Sequence, residues 1–265
     1  MAKILSVTNQ KGGVGKTTTC VNLAASLVAT KKKVLLIDLD PQGNATMGSG
    51  VNKNDVELSL YDVLVHRKPI AEVSVHVENG GFDLVPSNAD VTAAEVELLN
   101  IEGKEFRLKD ALAIESIHYD YIIIDCPPSL NMLTVNALAA SNGVLIPMQC
   151  EYYALEGLSA LMDTIGQIQQ VINPSLQVEG LLRTMYDPRN SLTNDVSKQL
   201  SEHFGDRLYR TVIPRNVRLA EAPSHGMPAL FYDKQSKGAM AYLALAGEML
   251  RRNDAAKRTE AEAVL

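Results

Sequence analysis

The feature that most constrains this chain is a series of short apolar runs, several of which are hydrophobic at every position. Val34–Ile37 and Tyr121–Ile124 show no alternation of apolar and polar residues. A strand of that kind is typical of a parallel sheet that helices cover on both faces. The runs therefore predict a buried, mostly parallel sheet.

Segments with helical spacing separate these runs along the chain. The predicted strands are Ile4–Thr8, Val34–Asp38, Phe82–Pro86, Tyr121–Asp125, Val144–Pro147, Val178–Met185 and Thr211–Pro214. The predicted helices are Thr17–Ala29, Ala93–Leu99, Leu108–Ile117, Leu130–Ala140, Leu155–Val171, Asn194–Phe204 and Gly238–Arg251. The alternation indicates a doubly wound α/β fold with helices on both faces of the sheet.

We find no internal repeat and no low-complexity linker, so residues 1–265 are predicted to form one domain. The alanine-rich, charged segment 251–265 is expected to be a frayed helix end or tail. The segment Pro41–Asn52 is rich in Gly, Asn, Ser and Thr and carries no charged residue. This composition predicts a functional loop after the strand that ends at Asp38.

Composition narrows the classes of protein further. Hydrophobic residues make up 46% and charged residues 21% of the chain, as in folded globular proteins. The longest charge-free stretch, Cys126–Cys150, contains three prolines, which argues against a transmembrane helix. The N-terminus lacks the pattern of a secretory signal, so a cytoplasmic protein is expected. The net charge of −6 argues against a generally basic coat for nucleic acid.

A glycine-rich loop with two lysines joins the first predicted strand to the first predicted helix. It reads Gln10-Lys11-Gly12-Gly13-Val14-Gly15-Lys16-Thr17-Thr18. Glycines let backbone N–H groups converge on phosphates, and a helix N-terminus adds partial positive charge. Lys16 is expected to reach the β- and γ-phosphates, and the Thr17 hydroxyl to bind Mg²⁺. The ordinary P-loop has glycine where Gln10 stands, and it lacks a lysine at the position of Lys11.

This departure resembles the deviant Walker A box of the ParA/MinD class of P-loop ATPases. Four later blocks resemble the ParA (Soj) branch, which partitions chromosomes and plasmids; they are Asp38–Asn44, Ile124–Ser129, Cys150–Gly157 and Pro214–Pro223. The resemblance extends from about Lys3 to Leu250. It implies a P-loop NTPase fold, ATP and Mg²⁺ as cofactors, and slow hydrolysis of ATP that a partner stimulates.

Carboxylates follow two of the predicted strands at the edge where open α/β sheets bind ligands. Asp125 ends an apolar strand and is expected to hold Mg²⁺ directly or through water. Asp40 is placed to orient a water toward the γ-phosphate or to bind Mg²⁺ through water, and the resemblance implies the catalytic role. Asp38 is expected to be a buried carboxylate that supports the site.

The resemblance also implies a role for Lys11 in a second subunit. Two ATP-loaded loops that face each other bring like charges together, and a lysine that crosses the interface neutralises the partner's phosphates. Lys11 and Gly12 are therefore predicted at the interface of an ATP-dependent homodimer. The predicted catalytic set is Lys16, Asp40 and Lys11.

The adenine base needs an apolar slot near the ends of later strands. By resemblance we place it between Met185 and the turn at Pro214 and Asn216, although these residues also fit a core position and a structural turn. The predicted nucleotide-binding residues are Lys11, Gly12, Gly13, Val14, Gly15, Lys16, Thr17, Thr18, Met185, Pro214 and Asn216.

From Arg183 to Arg218 the chain carries seven basic residues against four acidic ones. A solvated helical face explains this modest excess, and so does non-specific binding of double-stranded DNA, which the resemblance favours. The candidates are Arg189, Arg215, Arg218 and Lys234. The resemblance further implies a ParB-type centromere-binding partner and an association with the nucleoid in the cytoplasm.

Three other classes of protein fit the sequence less well. An iron protein of the same superfamily would need cysteines that bridge a cluster, and Cys20, Cys126 and Cys150 do not supply that pattern. A DNA-binding regulator would need an N-terminal helix-turn-helix before the first strand, and the first predicted strand already begins at Ile4, so operator-specific repression is not expected. A MinD-like membrane-associated ATPase, the main alternative, would need bulky apolar residues opposite lysines in a C-terminal helix, and the tail lacks that face, so no membrane partner is expected.

Overall fold

The structure is a computed structural model that describes residues 2–263, without the side chains of residues 257 and 259–263. Within that range the strands are β1 (Lys3–Val7), β2 (Val34–Asp38), β3 (Val75–Val77), β4 (Phe82–Val85), β5 (Tyr121–Asp125), β6 (Gly143–Gln149), β7 (Gln177–Tyr186) and β8 (Leu208–Pro214). The α-helices are α1 (Lys16–Ala29), α2 (Asn44–Gly48), α3 (Leu60–Leu64), α4 (Ile70–Val73), α5 (Val91–Leu98), α6 (Arg107–Glu115), α7 (Met132–Ala140), α8 (Ala154–Val171), α9 (Ser191–Phe204), α10 (Val217–Glu221), α11 (Ala229–Tyr232) and α12 (Lys237–Ala263). Short 3₁₀ turns cover Lys104–Phe106, Gly205–Arg207 and Ala222–His225.

The strands form one sheet in the order β3-β4-β2-β5-β1-β6-β7-β8. Strand β3 pairs antiparallel with β4 at one edge, and the other pairs are parallel. The predicted doubly wound, mostly parallel α/β fold is therefore confirmed. Parallel strands cannot be joined by tight turns, so the chain returns over the sheet through helices, which cover both faces.

Both faces of the central strands are buried, which explains their unbroken hydrophobic runs. In β5, Ile123 packs into a core with α1 and α12, whereas Ile122 and Ile124 face the opposite core with α3 and α7. A third cluster lies between β6, α8 and α9. All five residues of β2 and of β5 are buried. Among residues 2–263, no helix has the length and apolar character needed to cross a bilayer.

Several short elements of the structure differ from the sequence prediction, among them the unpredicted helices α3, α4, α10 and α11. The segment Pro41–Asn52, predicted as a loop, contains the short helix α2. Strand β3 was not predicted, because its three residues carry a histidine and only two valines. Helix α12 continues through 251–263, while residues 264 and 265 lie outside the described range, and the expectation of a frayed helix end or tail stays a prediction.

Candidate nucleotide-binding site

The ends of three central strands bring the predicted loops to one edge of the sheet. In the parallel register, Asp125 lies opposite both Val7 of β1 and Asp38 of β2. The chain leaves all three strands at the same level and enters the glycine-rich loop, the loop with Asp40, and the loop after Asp125. They border a cleft of about 770 Å³ that also reaches α5 and the segment after α10.

The glycine-rich loop turns tightly into α1. Gly13 and Gly15 have φ values of 74° and 88°, in the left-handed region that favours glycine. Gly15 caps α1 without a side-chain hydrogen bond, which suits a helix end that binds an anion through its N–H groups. The Thr184 hydroxyl donates to the carbonyl oxygen of Val14 at 2.7 Å and so ties the loop to β7.

Lys16 lies inside this loop rather than in solvent. Its side-chain Nζ is 3.3 Å from the carbonyl oxygen of Lys11, and the residue is only 8% exposed. Burial lowers the pKa of Lys16, and the nearby carboxylate of Asp125 opposes that shift. A buried cation next to unpaired N–H groups is electrostatically suited to a polyphosphate.

Asp125 lies at the floor of the cleft, fully buried. The Cys20 thiol donates to its Oδ1 at 3.4 Å, and its Oδ2 is one of the few buried side-chain atoms among the described residues that have no hydrogen-bond partner. Burial and the neighbouring Asp38 raise the pKa of this carboxyl. A divalent cation would relieve both features, because it supplies a ligand to the orphan oxygen and favours the ionised form.

The donors here fit Mg²⁺ in particular. Thr17, next to Lys16, lines the cleft and offers a hydroxyl oxygen, the kind of hard ligand that Mg²⁺ prefers. No group of three or more His, Cys, Asp or Glu residues that can hold a metal occurs in the described part of the chain. The remaining ligands would therefore be phosphate and water oxygens, as is usual for Mg²⁺ bound with a nucleotide.

Asp38 organises the neighbouring loop, as expected of a supporting carboxylate. Its Oδ2 accepts from the Thr46 backbone N–H at 2.8 Å and from the Thr46 hydroxyl at 2.7 Å, and its Oδ1 accepts from the Asp40 N–H at 3.3 Å. These bonds hold α2 against the end of β2. Asp40 itself is half-buried on the cleft wall, where its Oδ1 accepts from the Gln42 N–H at 2.9 Å.

The segment with α2 packs directly against the segment after α10. A side-chain Cβ on Gly50 would lie 2.6 Å from the carbonyl oxygen of Gly226, and a Cβ on Gly226 would lie 2.7 Å from Gly50 Cα. Both glycines have left-handed φ values, 88° and 62°. Pro223 and Met227, on either side of this contact, line the cleft. The two backbones therefore touch with no side chain between them.

The predicted adenine-binding residues lie together in a second cavity of about 290 Å³, next to Gly15 and Thr18. Met185, Pro214 and Asn216 line it. Met185 has a φ of 48°, rare for a residue with a side chain, and it borders the large cleft as well. Strain of this kind is concentrated at functional sites.

Lys11 extends away from the cleft toward the loop after β6. Its Nζ lies 2.5 Å from the carboxylate of Glu151, and the two side chains are 46% and 51% exposed. Gly12 borders the cleft, and a Cβ placed on it would meet nothing within 4 Å. The chain's own packing therefore does not account for glycine at this position.

The four candidate DNA-binding residues are all exposed, but two of them are paired. Arg189 binds Asp187 at 2.7 Å, and Arg218 binds Glu221 at 2.8 Å and Asp233 at 3.2 Å. Arg215 and Lys234 are exposed as well.

Another arginine of the basic segment is committed elsewhere. The guanidinium of Arg183 donates to Ser197 and to the carbonyl oxygens of Tyr209 and Arg210. It braces β7 against its neighbours, so the seven basic residues do not form one continuous free patch.

Several residues on the cleft wall were not predicted. Thr92 and Glu95 reach the cleft from α5, and Pro223 and Met227 reach it from the C-terminal segment. Asn131, which caps α7, donates to Glu95. Thr92, Glu95 and Met227 belong to none of the motif blocks, so no signal in one sequence marks them, whereas Pro223 ends the block Pro214–Pro223 but was given no role in the site.

The chain is similar in sequence to a known protein family and to several curated proteins. A family model described as an AAA domain matches residues 2–178. The chain is 53% identical to the sporulation initiation inhibitor protein Soj of Bacillus subtilis, covering 94% of this chain and 98% of that protein. It is 49% identical to the chromosome partitioning protein ParA of Myxococcus xanthus, covering 96% and 89%.

Among solved structures, the fold is similar to cobyrinic acid a,c-diamide synthase from Mycobacterium smegmatis with bound ADP and magnesium. The TM-score is 0.84 at 37% identity, and the match covers 96% of each chain. Proteins with different functions can share one fold, so the fold alone does not identify the family. The chain is more similar in sequence to Soj and ParA, at 53% and 49% identity, than to the synthase, at 37%.

Proposed function

This chain belongs to the Soj/ParA family of chromosome-partitioning ATPases, and from that premise we propose that it segregates DNA through an ATP-driven cycle of dimerisation and DNA binding. ATP and Mg²⁺ are its cofactors. In the proposed cycle the ATP-bound dimer holds DNA without sequence preference, and a ParB-type partner stimulates hydrolysis and release.

One observation carries the proposal. Lys16 and Thr17 at the start of α1, Asp40 after β2 and Asp125 at the end of β5 border or underlie one cleft, which adjoins the cavity around Met185. A nucleotide needs room for its phosphates and for its base, and the two adjoining cavities offer both. A purely structural glycine-rich turn would not account for a buried lysine near a buried carboxylate that has an unpaired oxygen.

Each residue then has a definite task. Lys16 and the N-terminus of α1 bind the β- and γ-phosphates. Thr17 and Asp125 hold Mg²⁺, which would offset phosphate charge when bound. Asp40 orients the attacking water toward the γ-phosphate. We expect slow turnover by the chain alone, because no arginine lines the large cleft among the described residues to offset transition-state charge.

Dimerisation is proposed to depend on Lys11 and Gly12. The ion pair of Lys11 with Glu151 is on the surface, where such pairs contribute about 0–1 kcal/mol, so a partner's phosphates can replace the carboxylate. Gly12 leaves space for a second loop to approach. ATP would favour the dimer only while the γ-phosphate is present, since it adds charge that Lys11 neutralises.

DNA binding is proposed to use Arg189, Arg215, Arg218 and Lys234. The carboxylates that pair with Arg189 and Arg218 weaken the field of a single chain, so one copy is expected to hold DNA poorly at physiological salt. A dimer doubles the contacts and binds strongly by effective concentration. This explains how a chain of net charge −6 binds DNA only in its ATP-bound state.

The central experiment is ATP hydrolysis measured with and without DNA and a ParB-type protein. We expect slow turnover alone and a marked increase with both. Lys16→Ala is expected to lose nucleotide binding or turnover, and Asp40→Ala to bind ATP but to hydrolyse it far more slowly and accumulate as a dimer. Normal turnover in either variant would disprove the site assignment.

DNA binding is tested with the double variant Arg189→Ala/Arg218→Ala. Its affinity should fall equally for all duplex sequences and its salt dependence should flatten, while ATP-driven dimerisation survives. Unchanged binding, a strong sequence preference, or equal binding without nucleotide would contradict the DNA proposal.

The MinD-like alternative predicts recovery with anionic vesicles in the presence of ATP. We expect none in a liposome flotation assay. Flotation that depends on ATP would favour a membrane-associated ATPase over a partitioning one.

A further inference from the structure

Two adjacent tyrosines stand out on the surface of the molecule. Tyr152 and Tyr153, in the turn between β6 and α8, are 75% and 71% exposed. Their rings contact each other edge to face, with centroids 5.0 Å apart. Neither hydroxyl forms a hydrogen bond with any other residue that the structure describes. Large aromatic side chains this exposed are unusual unless something covers them.

The chain's own packing does not require these rings. Helix α8 packs against the sheet through Leu158, Leu161 and Ile165, which are buried. Removing the two rings would therefore leave the core contacts of α8 in place. Their exposure points to a partner outside the single chain.

The tyrosines continue the surface that the proposed dimer uses. Glu151 immediately precedes them and binds Lys11. Lys11 leads directly to Gly12, where a side chain would meet open space. The charged pair, the open glycine and the two rings are thus neighbours, and together they form the rim at which the copies are proposed to meet.

We propose that Tyr152 and Tyr153 form the aromatic anchor by which a second copy of this chain is held in the ATP-bound dimer. The inference rests on the proposed function, because it assumes that the copies meet at Lys11 and Gly12. An interface with two-fold symmetry must complement itself, and a pair of aromatic side chains can pack against the same pair on a second copy. Exposed tyrosine is also among the residue types that most often dominate binding at the centre of interfaces.

Other occupants fit this rim less well. Glu151 and Glu156 lie on either side of the tyrosines and are exposed, and Glu156 carries no described ion pair. Two carboxylates disfavour a DNA backbone and an anionic membrane surface. A second copy, by contrast, presents the same two aromatic rings, and its Lys11 adds positive charge beside these carboxylates.

The test is the double variant Tyr152→Ala/Tyr153→Ala, examined by sedimentation equilibrium with Mg²⁺ and a non-hydrolysable ATP analogue. We expect the dimer dissociation constant to rise at least about tenfold. Binding of the analogue to the monomer at low protein concentration should not change, nor should the midpoint of urea unfolding. Tyr152→Phe/Tyr153→Phe should dimerise almost normally, since the rings rather than the hydroxyls form the anchor.

Val171→Ala is the matched control. Val171 is 81% exposed at the far end of α8, roughly 27 Å along the helix from the tyrosines. It should dimerise as the wild type does. If the wild type forms a dimer with the analogue, Lys11→Ala does not, and the double tyrosine variant does so at the normal concentration, the anchor is disproved and the proposed function stands. If the wild type stays monomeric, the proposed function fails and the anchor fails with it.

Discussion

Two glycine-bearing segments border the same cleft, and their glycines stand in opposite surroundings. In the loop Lys11–Lys16, a Cβ on Gly12 or Gly13 would meet nothing within 4 Å. At the contact between Gly50 and Gly226, a Cβ on either residue would overlap the other's backbone. The first pair leaves space for something outside the chain, and the second pair is required by the chain itself. The surroundings of a glycine thus help to separate binding from folding.

The largest effect on stability is expected from Gly226→Val. It places a β-branched side chain at a φ of 62° and against the backbone of Gly50. The left-handed penalty and the overlap together should lower the free energy of unfolding by about 3–5 kcal/mol. Urea unfolding without nucleotide measures this. A loss below about 1 kcal/mol would show that the two segments separate easily.

Gly50→Ala should cost somewhat less, about 2–4 kcal/mol, because alanine adds one carbon at the same contact. The double variant Gly50→Ala/Gly226→Ala tests the contact itself. Its loss in unfolding free energy should be smaller than the sum of the two single losses. The reason is that both added carbons crowd the same contact, so a shift of the two segments that relieves one overlap also relieves part of the other. Strict additivity would mean that the residues act independently.

Gly13→Ala separates backbone strain from crowding. Its φ of 74° disfavours alanine, but no atom lies near the added carbon, so the expected loss in unfolding free energy is about 1–2 kcal/mol. Gly103→Ala, at a φ of 68° with equally open surroundings far from the cleft, is the matched control. The two losses should agree, and a much larger loss at Gly13 would reveal a structural role for the loop.

Gly12→Val should have the smallest effect on stability and a large effect on assembly. Gly12 has neither a left-handed φ nor a close neighbour, so the free energy of unfolding should change by less than about 0.5 kcal/mol. ATP-dependent dimerisation, followed by sedimentation, should nevertheless be lost. A stable variant that still forms a close dimer would remove the distinction between the two segments.

Much of the architecture was predictable because it depends on local patterns. The unbroken hydrophobic run of β5 and the strand-loop-helix order around Lys16 identified a parallel sheet with a phosphate loop at its carboxyl edge. The short helix α2 was missed, because its residues favour a loop and its helix depends on bonds from Thr46 to a carboxylate eight positions earlier. Strand β3 was missed since three residues are too few to show a period.

The sequence by itself determined the fold class, the family and the residue types of the site, because motif spacing and hydrophobic periodicity are properties of neighbouring residues. Only the tertiary structure decided which distant groups meet: Glu151 with Lys11, Gly50 with Gly226, and Glu95 with the cleft. The physical reason is that such contacts join elements whose relative position depends on strand order and packing. Burial has the same origin, so the unpaired oxygen of Asp125 and the exposed rings of Tyr152 and Tyr153 could be found only in the folded chain.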